Sequence, residues 1–223
     1  MTDPRAQLAR IAILGGTGDL GHGLAVRFCA AGHEVIVGSR SPERGAEIAG
    51  RLGLRNARGA GNAAAAREGD IVIVACPSEG HAALVGALAA ELQGKIVVDA
   101  TVPIGSGLTY APPAAGSAAA ETQALAPGAR VVAAFHTLSA RLLADLGRPL
   151  DQDVLVCGDD DAAKIRVMDL IDSIGARGVD AGGLAAAATV EALAVLIIGL
   201  NVRYRRRHLG IRIAHLPPHA RPR

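Results

Sequence analysis

Short runs of apolar residues alternate along the first two thirds of the chain with longer stretches in which apolar positions recur every three or four residues. The short runs predict strands, and the stretches with helical spacing predict helices. The predicted strands cover residues 10–14, 34–38, 71–75, 95–99 and 130–135, and the predicted helices cover residues 20–31, 42–52, 61–68, 79–92 and 115–125. This alternation predicts an α/β protein with a doubly wound, mostly parallel sheet, whose ligands bind at the carboxyl ends of the strands.

The pattern changes after about residue 150. The elements predicted there are a strand at 153–157, a helix at 160–174, an extended segment at 177–180 and a long apolar helix at 184–206. We interpret residues 1–150 as one domain and residues 151–213 as a small C-terminal α/β unit that ends in the apolar helix. Residues 214–223 contain three prolines and are predicted to form a disordered tail.

A glycine-rich turn follows the first predicted strand directly. Gly16, Gly18 and Gly21 have the G-x-G-x-x-G spacing of a dinucleotide-binding turn. In such a turn the glycines allow a tight bend, a close approach of backbone to a pyrophosphate, and close packing of the next helix. The helix that follows would direct its N-terminal amides at the anion. The sequence therefore predicts a Rossmann-type nucleotide-binding domain over residues 1–150.

The end of the second predicted strand indicates which dinucleotide is bound. An NAD-selective domain places Asp or Glu there, about 20 residues after the turn, to bind the ribose 2′-hydroxyl. This chain has Ser39 and Arg40 instead, and Arg44 lies one helical turn further on. A hydroxyl and a guanidinium can bind a 2′-phosphate, so the pattern favours NADP. The alternative is that Ser39 caps the next helix while the arginines are solvated.

Reactive side chains follow three later elements. Cys76 lies just after the strand at 71–75, where a bound cofactor would pass, and His81 follows in the next helix, where it contacts the cofactor or only caps the helix. His136 follows the strand at 130–135 and has the chemistry of an acid or base, but no catalytic role is assigned to it, because hydride transfer between two cofactors needs no proton from a side chain. The three acids at 159–161 are interpreted as charges that cap a helix, and no metal site is predicted.

Composition bears on partners and location. The 223 residues are 50% hydrophobic and carry a formal net charge of +2, which favours neither nucleic acid nor a membrane surface as a partner. The three cysteines lack metal-ligand spacing, and residues 1–10 lack an apolar segment of signal-peptide length, so a cytoplasmic protein with free thiols is expected. Glu191 lies inside the apolar helix and favours burial of that helix, between domains or across a dimer interface, over a membrane span.

Eight segments, in order along the chain, resemble the NADPH-dependent reductases of coenzyme F420, an 8-hydroxy-5-deazaflavin. The matching segments are 14–21, 37–40, 95–98, 102–103, 136–137, 156–161, 180–182 and 209–211. The resemblance implies a homodimer that transfers a hydride between NADP(H) and coenzyme F420 by close positioning of the two rings, with no catalytic side chain. The residues that it implies for NADP are Thr17, Gly18, Asp19, Leu20, Ser39, Arg40, Arg44, Cys76, His81, Val102, Ile104 and Ala140, and for the deazaflavin Leu209.

Two other functions are left open by the residues themselves. One is an NADP-dependent reductase of an imine, a keto acid or another flavin, built on a similar first domain. The other is a module without enzymatic activity that binds NADP(H) and transmits its redox state through the dimer. Turnover of a deazaflavin would separate the leading hypothesis from both.

Overall fold

The computed structural model describes residues 8–217, which form an eight-stranded sheet, a small hairpin and helices on both faces of the sheet. The strands are β1 (Arg10–Leu14), β2 (Glu34–Ser39), β3 (Ala57–Gly61), β4 (Ile71–Val74), β5 (Ile96–Asp99), β6 (Ile104–Gly105), β7 (Thr109–Tyr110), β8 (Arg130–Ala133), β9 (Asp153–Gly158) and β10 (Arg177–Asp180). The helices are α1 (Asp19–Ala30), α2 (Pro42–Leu52), α3 (Asn62–Glu68), α4 (His81–Ala87), α5 (Ala118–Leu125), α6 (Ala140–Ala144), α7 (Asp161–Ser173) and α8 (Ala187–Arg203).

The strand order in the main sheet is β10-β9-β8-β5-β4-β1-β2-β3, and β6 pairs only with β7. Neighbouring strands are parallel except β8 and β9, which are antiparallel. The predicted doubly wound, mostly parallel sheet is confirmed. Apolar residues fill both of its faces, because strands such as β4 are buried along their whole length. The order reverses between β1 and β4, which is where ligands bind in such sheets.

Strand β3 has no counterpart among the predicted elements. Its sequence, Ala-Arg-Gly-Ala-Gly, carries no large apolar side chain, so the apolar pattern that reveals the other strands is missing. The strand forms because the edge of β2 offers backbone donors and acceptors to it. Its small residues let α2 lie close to it: a Cβ atom added at Gly59 would come within 2.0 Å of the backbone of Gly45.

Several predicted boundaries are wrong because the backbone tightens or bends. The predicted helix at 79–92 is α-helical only over α4, and turns whose backbone bonds run mostly from residue i to i−3 continue to Lys95. The predicted strand at 130–135 ends at Ala133, because Phe135 adopts a positive φ of 70°. The helix predicted at 184–206 begins with a short 3₁₀ turn and ends at Arg203, shortly before Arg205 with a φ of 51°.

The segment after residue 150 adds β9 and β10 to the same sheet rather than forming a sheet of its own. Arg177 on β10 forms a two-pronged ion pair with Asp153 on β9, with N–O distances of 2.7 and 2.6 Å. The Asp153 carboxylate also accepts a hydrogen bond from the amide of Ile213 at 2.5 Å. Of the predicted tail, residues 214–217 are described, and the carbonyl of Leu216 accepts a hydrogen bond from Arg177. Residues 218–223 lie outside the described residues.

The acids at 159–161 lie at the start of α7, where two of them cap the helix and add charge to its first turn, as interpreted from the sequence. The carboxylate of Asp160 accepts a hydrogen bond from the amide of Ala163 at 2.8 Å and caps the helix. Asp161 forms an ion pair with Lys164 at 3.1 Å. Asp159 instead accepts a hydrogen bond from the amide of Leu184 at 2.8 Å, which fastens the start of the last helical segment to the sheet.

The apolar helix contains one buried carboxylate, Glu191, which is 0% exposed. It accepts hydrogen bonds from the Tyr110 hydroxyl at 2.9 Å and from the amides of Ala118 and Ala119 at 3.1 and 3.3 Å. The two amides belong to the first turn of α5, so the carboxylate also complements the dipole of that helix. Burial nevertheless raises the pKa of Glu191 above its usual range. By length and composition alone, Leu184–Arg203 would be long and apolar enough to cross a membrane.

Replacing Tyr110 by Phe is expected to lower the free energy of unfolding by about 1.5 kcal/mol, because the variant removes a hydrogen bond to the buried carboxyl group of Glu191. Chemical denaturation would measure the change. The other tyrosine of the chain, Tyr204, is 64% exposed, so Tyr204→Phe serves as the matched control with an expected change close to zero. Equal effects of the two substitutions would contradict the assigned role of Tyr110.

Candidate functional site

The glycine turn between β1 and α1 lies at the carboxyl edge of the sheet and leaves no room for a side chain at Gly15, Gly16 or Gly21. Gly15 has a positive φ of 69°, and a Cβ atom there would come within 2.8 Å of the Cβ atom of Cys76. A Cβ atom at Gly21 would lie 2.5 Å from Cα of Gly16, which confirms the close packing of helix on turn that the spacing predicts. The bend itself falls on Gly15, one residue before the first glycine of the predicted motif.

The N-terminus of α1 supplies backbone donors at this turn. Gly18 is the N-cap residue, and it provides no side chain to accept a bond from the first amides of the helix. Free amides at a helix N-terminus, together with the helix dipole, bind phosphate oxygens. Thr17 and Gly18 line a cavity on one side of this terminus, and Asp19 and Leu20 line a second cavity on the other.

The first cavity has a volume of about 500 Å³ and contains Ser39, Arg40 and Arg44. Ser39 is buried and does not cap the next helix, because Ser41 accepts the hydrogen bond from the Arg44 amide at 3.3 Å. Arg40 is exposed and forms no ion pair within residues 8–217. The guanidinium of Arg44 lies 2.7 Å from the carboxylate of Glu47. Arg40 is therefore the cation that is free to bind an anion in this cavity.

Two further residues line the first cavity. Cys76 is half-buried, and burial raises the pKa of its thiol to about 11, so it is an uncharged wall rather than a nucleophile at neutral pH. Asn62, in the first turn of α3, has a buried Oδ1 atom without a hydrogen-bond partner in the described part of the chain. The sequence analysis missed Asn62. Little in the sequence indicated that Asn62 belongs to the site, because it follows Gly61 in a segment where no strand was predicted.

His81 is buried in a network of hydrogen bonds. Its Nε2 lies 2.7 Å from the carboxylate of Asp99, and its Nδ1 lies 2.8 Å from that of Glu121. Asp99 is itself 0% exposed and accepts further bonds from the Thr122 hydroxyl at 2.5 Å and the Thr101 amide at 2.9 Å. Burial alone would lower the pKa of His81, but the bonds to the two carboxylates outweigh it and raise the pKa to about 9. The imidazole is therefore charged at neutral pH and turned into the protein, neither exposed nor a simple helix cap.

The second cavity is larger, about 710 Å³, and is bounded by the start of α1, the loop after β8, and α8 with the segment that follows it. Apolar side chains that include Leu138, Ala194 and Ile197 line its interior. Among the residues implied for the cofactors, the cavity is lined by Asp19, Leu20, Val102, Ala140 and Leu209. The two cavities have consecutive lining residues at the N-terminus of α1, because Gly18 lines the first and Asp19 the second.

His136 lines the second cavity and is 8% exposed. Neither of its ring nitrogens has a hydrogen-bond partner within the described residues. Burial lowers its pKa to about 4, although the charge of Asp99 acts in the opposite direction, so the ring is neutral at physiological pH. The neighbouring Phe135, with its positive φ, packs edge-on against Phe28 at a centroid distance of 6.0 Å. Unpaired polar atoms and a strained backbone occur together where proteins bind ligands.

The thirteen residues implied for the cofactors therefore fall into three groups. Six line the first cavity, namely Thr17, Gly18, Ser39, Arg40, Arg44 and Cys76. Five line the second cavity. The remaining two, His81 and Ile104, line a third cavity of about 360 Å³ beside the β6–β7 hairpin. The contact of each residue with a cofactor stays a prediction.

The fold, the glycine turn and the two cavities beside it define a dinucleotide-binding protein of the Rossmann type. Residues 10–103 match the family described as "NADP oxidoreductase coenzyme F420-dependent". The F420-dependent NADP reductase of Methanocaldococcus jannaschii is 41% identical over 221 residues, which cover 93% of this chain and 99% of the relative. The enzyme of the same name from Methanothermobacter marburgensis is 41% identical over 223 residues, with the same coverage of 93% and 99%. This chain belongs to the family of F420-dependent NADP reductases.

A solved structure extends the comparison to three dimensions. The crystal structure of a candidate F420-dependent NADP reductase from Arthrobacter sp. FB24 superimposes with a TM-score of 0.82 at 29% sequence identity. The match covers 93% of this chain and 100% of that chain, so it includes β9, β10 and α8. The resemblance inferred from the eight segments is confirmed, and it extends over nearly the whole length of the chain.

Proposed function

We infer that this protein transfers a hydride between NADP(H) and coenzyme F420. The observation that carries the inference is the pair of cavities whose lining residues are consecutive at the N-terminus of α1. One contains an arginine without an acidic partner in the described chain, and the other contains several apolar side chains. A dinucleotide that lies across the helix N-terminus reaches both. Relatives over almost the full length of the chain bear the name of this activity, so the alternative reductase and sensor functions are not favoured.

The first cavity fits the adenosine half of NADP. Arg40 is free to bind a 2′-phosphate, and the buried Ser39 hydroxyl lies beside it without a capping role. The free amides at the start of α1 suit the pyrophosphate. The unpaired Oδ1 of Asn62 adds an acceptor for a hydroxyl or an amino group of the nucleotide. The proposed division of the chain follows, in which residues 1–150 bind NADP.

The second cavity fits two flat rings in contact. When both are bound, NADPH supplies a hydride and the deazaflavin accepts it. The residues of the chain contribute position rather than covalent chemistry: Leu138 and Ile197 keep water away from the rings, and Leu209 closes the cavity from the C-terminal segment. Residues 151–213 thereby complete the deazaflavin cleft in our proposal. The neutral imidazole of His136 forms a hydrogen bond with a polar group on one of the two bound rings. The hydride transfer requires no proton from this histidine.

Replacing His136 by Phe is expected to lower kcat/KM for the deazaflavin by roughly five- to tenfold, the value of one lost hydrogen bond. The selectivity between NADPH and NADH should not change, because the first cavity is untouched. Since the pKa of His136 is about 4, the wild-type profile should show no step from this group between about pH 5.5 and pH 8. An unchanged kcat/KM in the variant would show that His136 forms no hydrogen bond with the bound rings.

A direct assay tests the function itself. Purified protein is mixed with NADPH and coenzyme F420, and the absorbance of the deazaflavin is followed as it is reduced. FMN and FAD replace coenzyme F420 in parallel reactions. Reduction of the deazaflavin alone is the expected result. Reduction of FMN or FAD alone would reassign the acceptor, and no reduction of any of the three would contradict the proposed activity.

We also propose that the protein works as a homodimer in the cytoplasm. In support, α8 leaves two large apolar side chains, Leu196 and Val202, 58% and 65% exposed, and a second copy of the chain would cover them. The three cysteines are free thiols, which suits a reducing compartment. Light scattering during gel filtration measures the mass in solution, and a monomer at micromolar concentration would contradict the dimer.

A further inference from the structure

Four arginines line the second cavity. Arg205, Arg206 and Arg207 follow the end of α8, and Arg141 comes from the first turn of α6. All four are exposed, and none forms an ion pair with an acid within residues 8–217. We call residues 205–207 the arginine turn. It puts three unpaired positive charges beside a cavity whose interior is apolar.

The backbone of the arginine turn is held in place. Arg205 bends the chain with a φ of 51°. The carbonyl of Arg207 accepts a hydrogen bond from the Ser139 hydroxyl at 2.7 Å, and the carbonyl of His208 accepts one from the Gln152 side chain at 2.6 Å. These bonds tie the turn to the loop after β8 and to the start of β9. The three arginines are thus presented from a fixed backbone, which reduces the entropy lost when they bind an anion.

The negative charges of NADP are already accommodated elsewhere in the proposed function. The 2′-phosphate has Arg40, and the pyrophosphate has the N-terminus of α1. The arginine turn lines the second cavity and not the first, so its charge calls for another anion. That anion must be attached to a group that enters an apolar cavity. The guanidinium group of arginine binds phosphate and carboxylate groups through pairs of parallel hydrogen bonds. The anion is therefore a phosphate or a carboxylate.

We propose that the arginine turn, with Arg141, binds the anionic side chain of the deazaflavin coenzyme. Coenzyme F420 joins its flat ring to a side chain with a phosphodiester and carboxylates, so one molecule offers the apolar and the anionic parts together. The arrangement selects the complete coenzyme over the bare ring system. This inference rests on the proposed function, because it assumes that the ring occupies the second cavity beside Leu209.

The test compares the complete coenzyme with the same deazaflavin that lacks the phosphate and carboxylates. The main variant combines Arg205→Gln, Arg206→Gln and Arg207→Gln. The matched control is Arg203→Gln, because Arg203 is also an exposed arginine at the end of α8 but does not line the cavity. Calorimetry gives Kd for both deazaflavins, and steady-state kinetics with saturating NADPH give KM and kcat. The affinity for NADPH and the thermal melting curve show whether each variant is folded.

The triple variant is expected to raise Kd and KM for coenzyme F420 at least tenfold and to change those for the truncated deazaflavin less than twofold. Added salt should weaken binding of the complete coenzyme to the wild type more than to the triple variant. Arg203→Gln should match the wild type. Equal weakening of both deazaflavins, or an unchanged Kd for coenzyme F420, would overturn the proposal. Binding that depends on the arginine turn in a protein that reduces no deazaflavin would uphold it and contradict the proposed activity instead.

Discussion

Replacing His81 by Leu is expected to lower the free energy of unfolding by about 3 to 5 kcal/mol, the usual loss when one member of a buried ion pair is removed. Asp99 is 0% exposed, and without the imidazole its charge would stay in the protein interior with only the Thr122 hydroxyl and the Thr101 amide as partners. Chemical denaturation at pH 7 measures the loss.

A second substitution separates the lost charge pair from lost packing. In the variant that combines His81→Leu with Asp99→Asn, the amide oxygen still accepts the bonds from Thr101 and Thr122, but no charge remains buried. We expect the double variant to recover at least half of the lost stability. If both variants are equally unstable, the cost arises from packing around the histidine and not from the buried charge of Asp99.

The pH dependence of stability gives an independent check on the same pair. The pKa of His81 in the folded protein is about 9, above the ordinary value of 6.5, so its contribution is complete below pH 6.5 and is lost as the pH rises through about 9. The shift corresponds to about 3 kcal/mol. The stability of the wild type should therefore fall across this range more steeply than that of His81→Leu. Parallel curves for the two proteins would contradict a charged His81.

Replacing Arg40 by Ala is expected to weaken the binding of NADPH by about 2 kcal/mol, or about 30-fold in Kd, while the binding of NADH changes little. The reason is that Arg40 is the cation of the first cavity without an acidic partner in the described chain, and only NADPH carries the 2′-phosphate. Arg44 already pairs with Glu47, so Arg44→Ala should have a smaller effect. Binding of both dinucleotides to each variant by calorimetry gives the selectivity.

The control for Arg40 is Arg51→Ala. Arg51 also pairs with Glu47, at 2.6 Å, but lies at the far end of α2 and does not line the cavity. Its removal should leave the affinity for both dinucleotides unchanged. Equal losses of NADPH and NADH affinity in Arg40→Ala would show that Arg40 does not bind the 2′-phosphate and would remove the main support for NADP selectivity.

Much of the fold was predictable because most strands are buried on both faces and therefore read as continuous apolar runs. β1 and β4 agree with their predicted ranges to within one residue for this reason. β3 was missed because its small residues carry no such signal. The change to antiparallel pairing at β9 was not predictable either, because strand direction in a sheet depends on how the connections pack and not on the composition of the strand.

The candidate site shows the same division at the level of single residues. The glycine spacing, Ser39 and Arg40 indicated an NADP site because local sequence encodes backbone shape and charge. Asn62 and the orphaned nitrogens of His136 could not be recognised, since a missing hydrogen-bond partner is a property of the surroundings of a residue. His81 was predicted to contact the cofactor or to cap a helix, but its pairing with Asp99 depends on two elements that only the sheet brings together.

By itself, the sequence determined the α/β fold, the dinucleotide turn and the family, because apolar periodicity, glycine spacing and ordered motifs are local properties of the chain. Only the tertiary structure decided which charges are paired and which are free. Within residues 8–217, Arg40 and the arginine turn have no acidic partner, whereas Arg44 and His81 form ion pairs. The physical reason is that electrostatic pairing and desolvation depend on distances between residues far apart in the chain, and folding alone sets those distances.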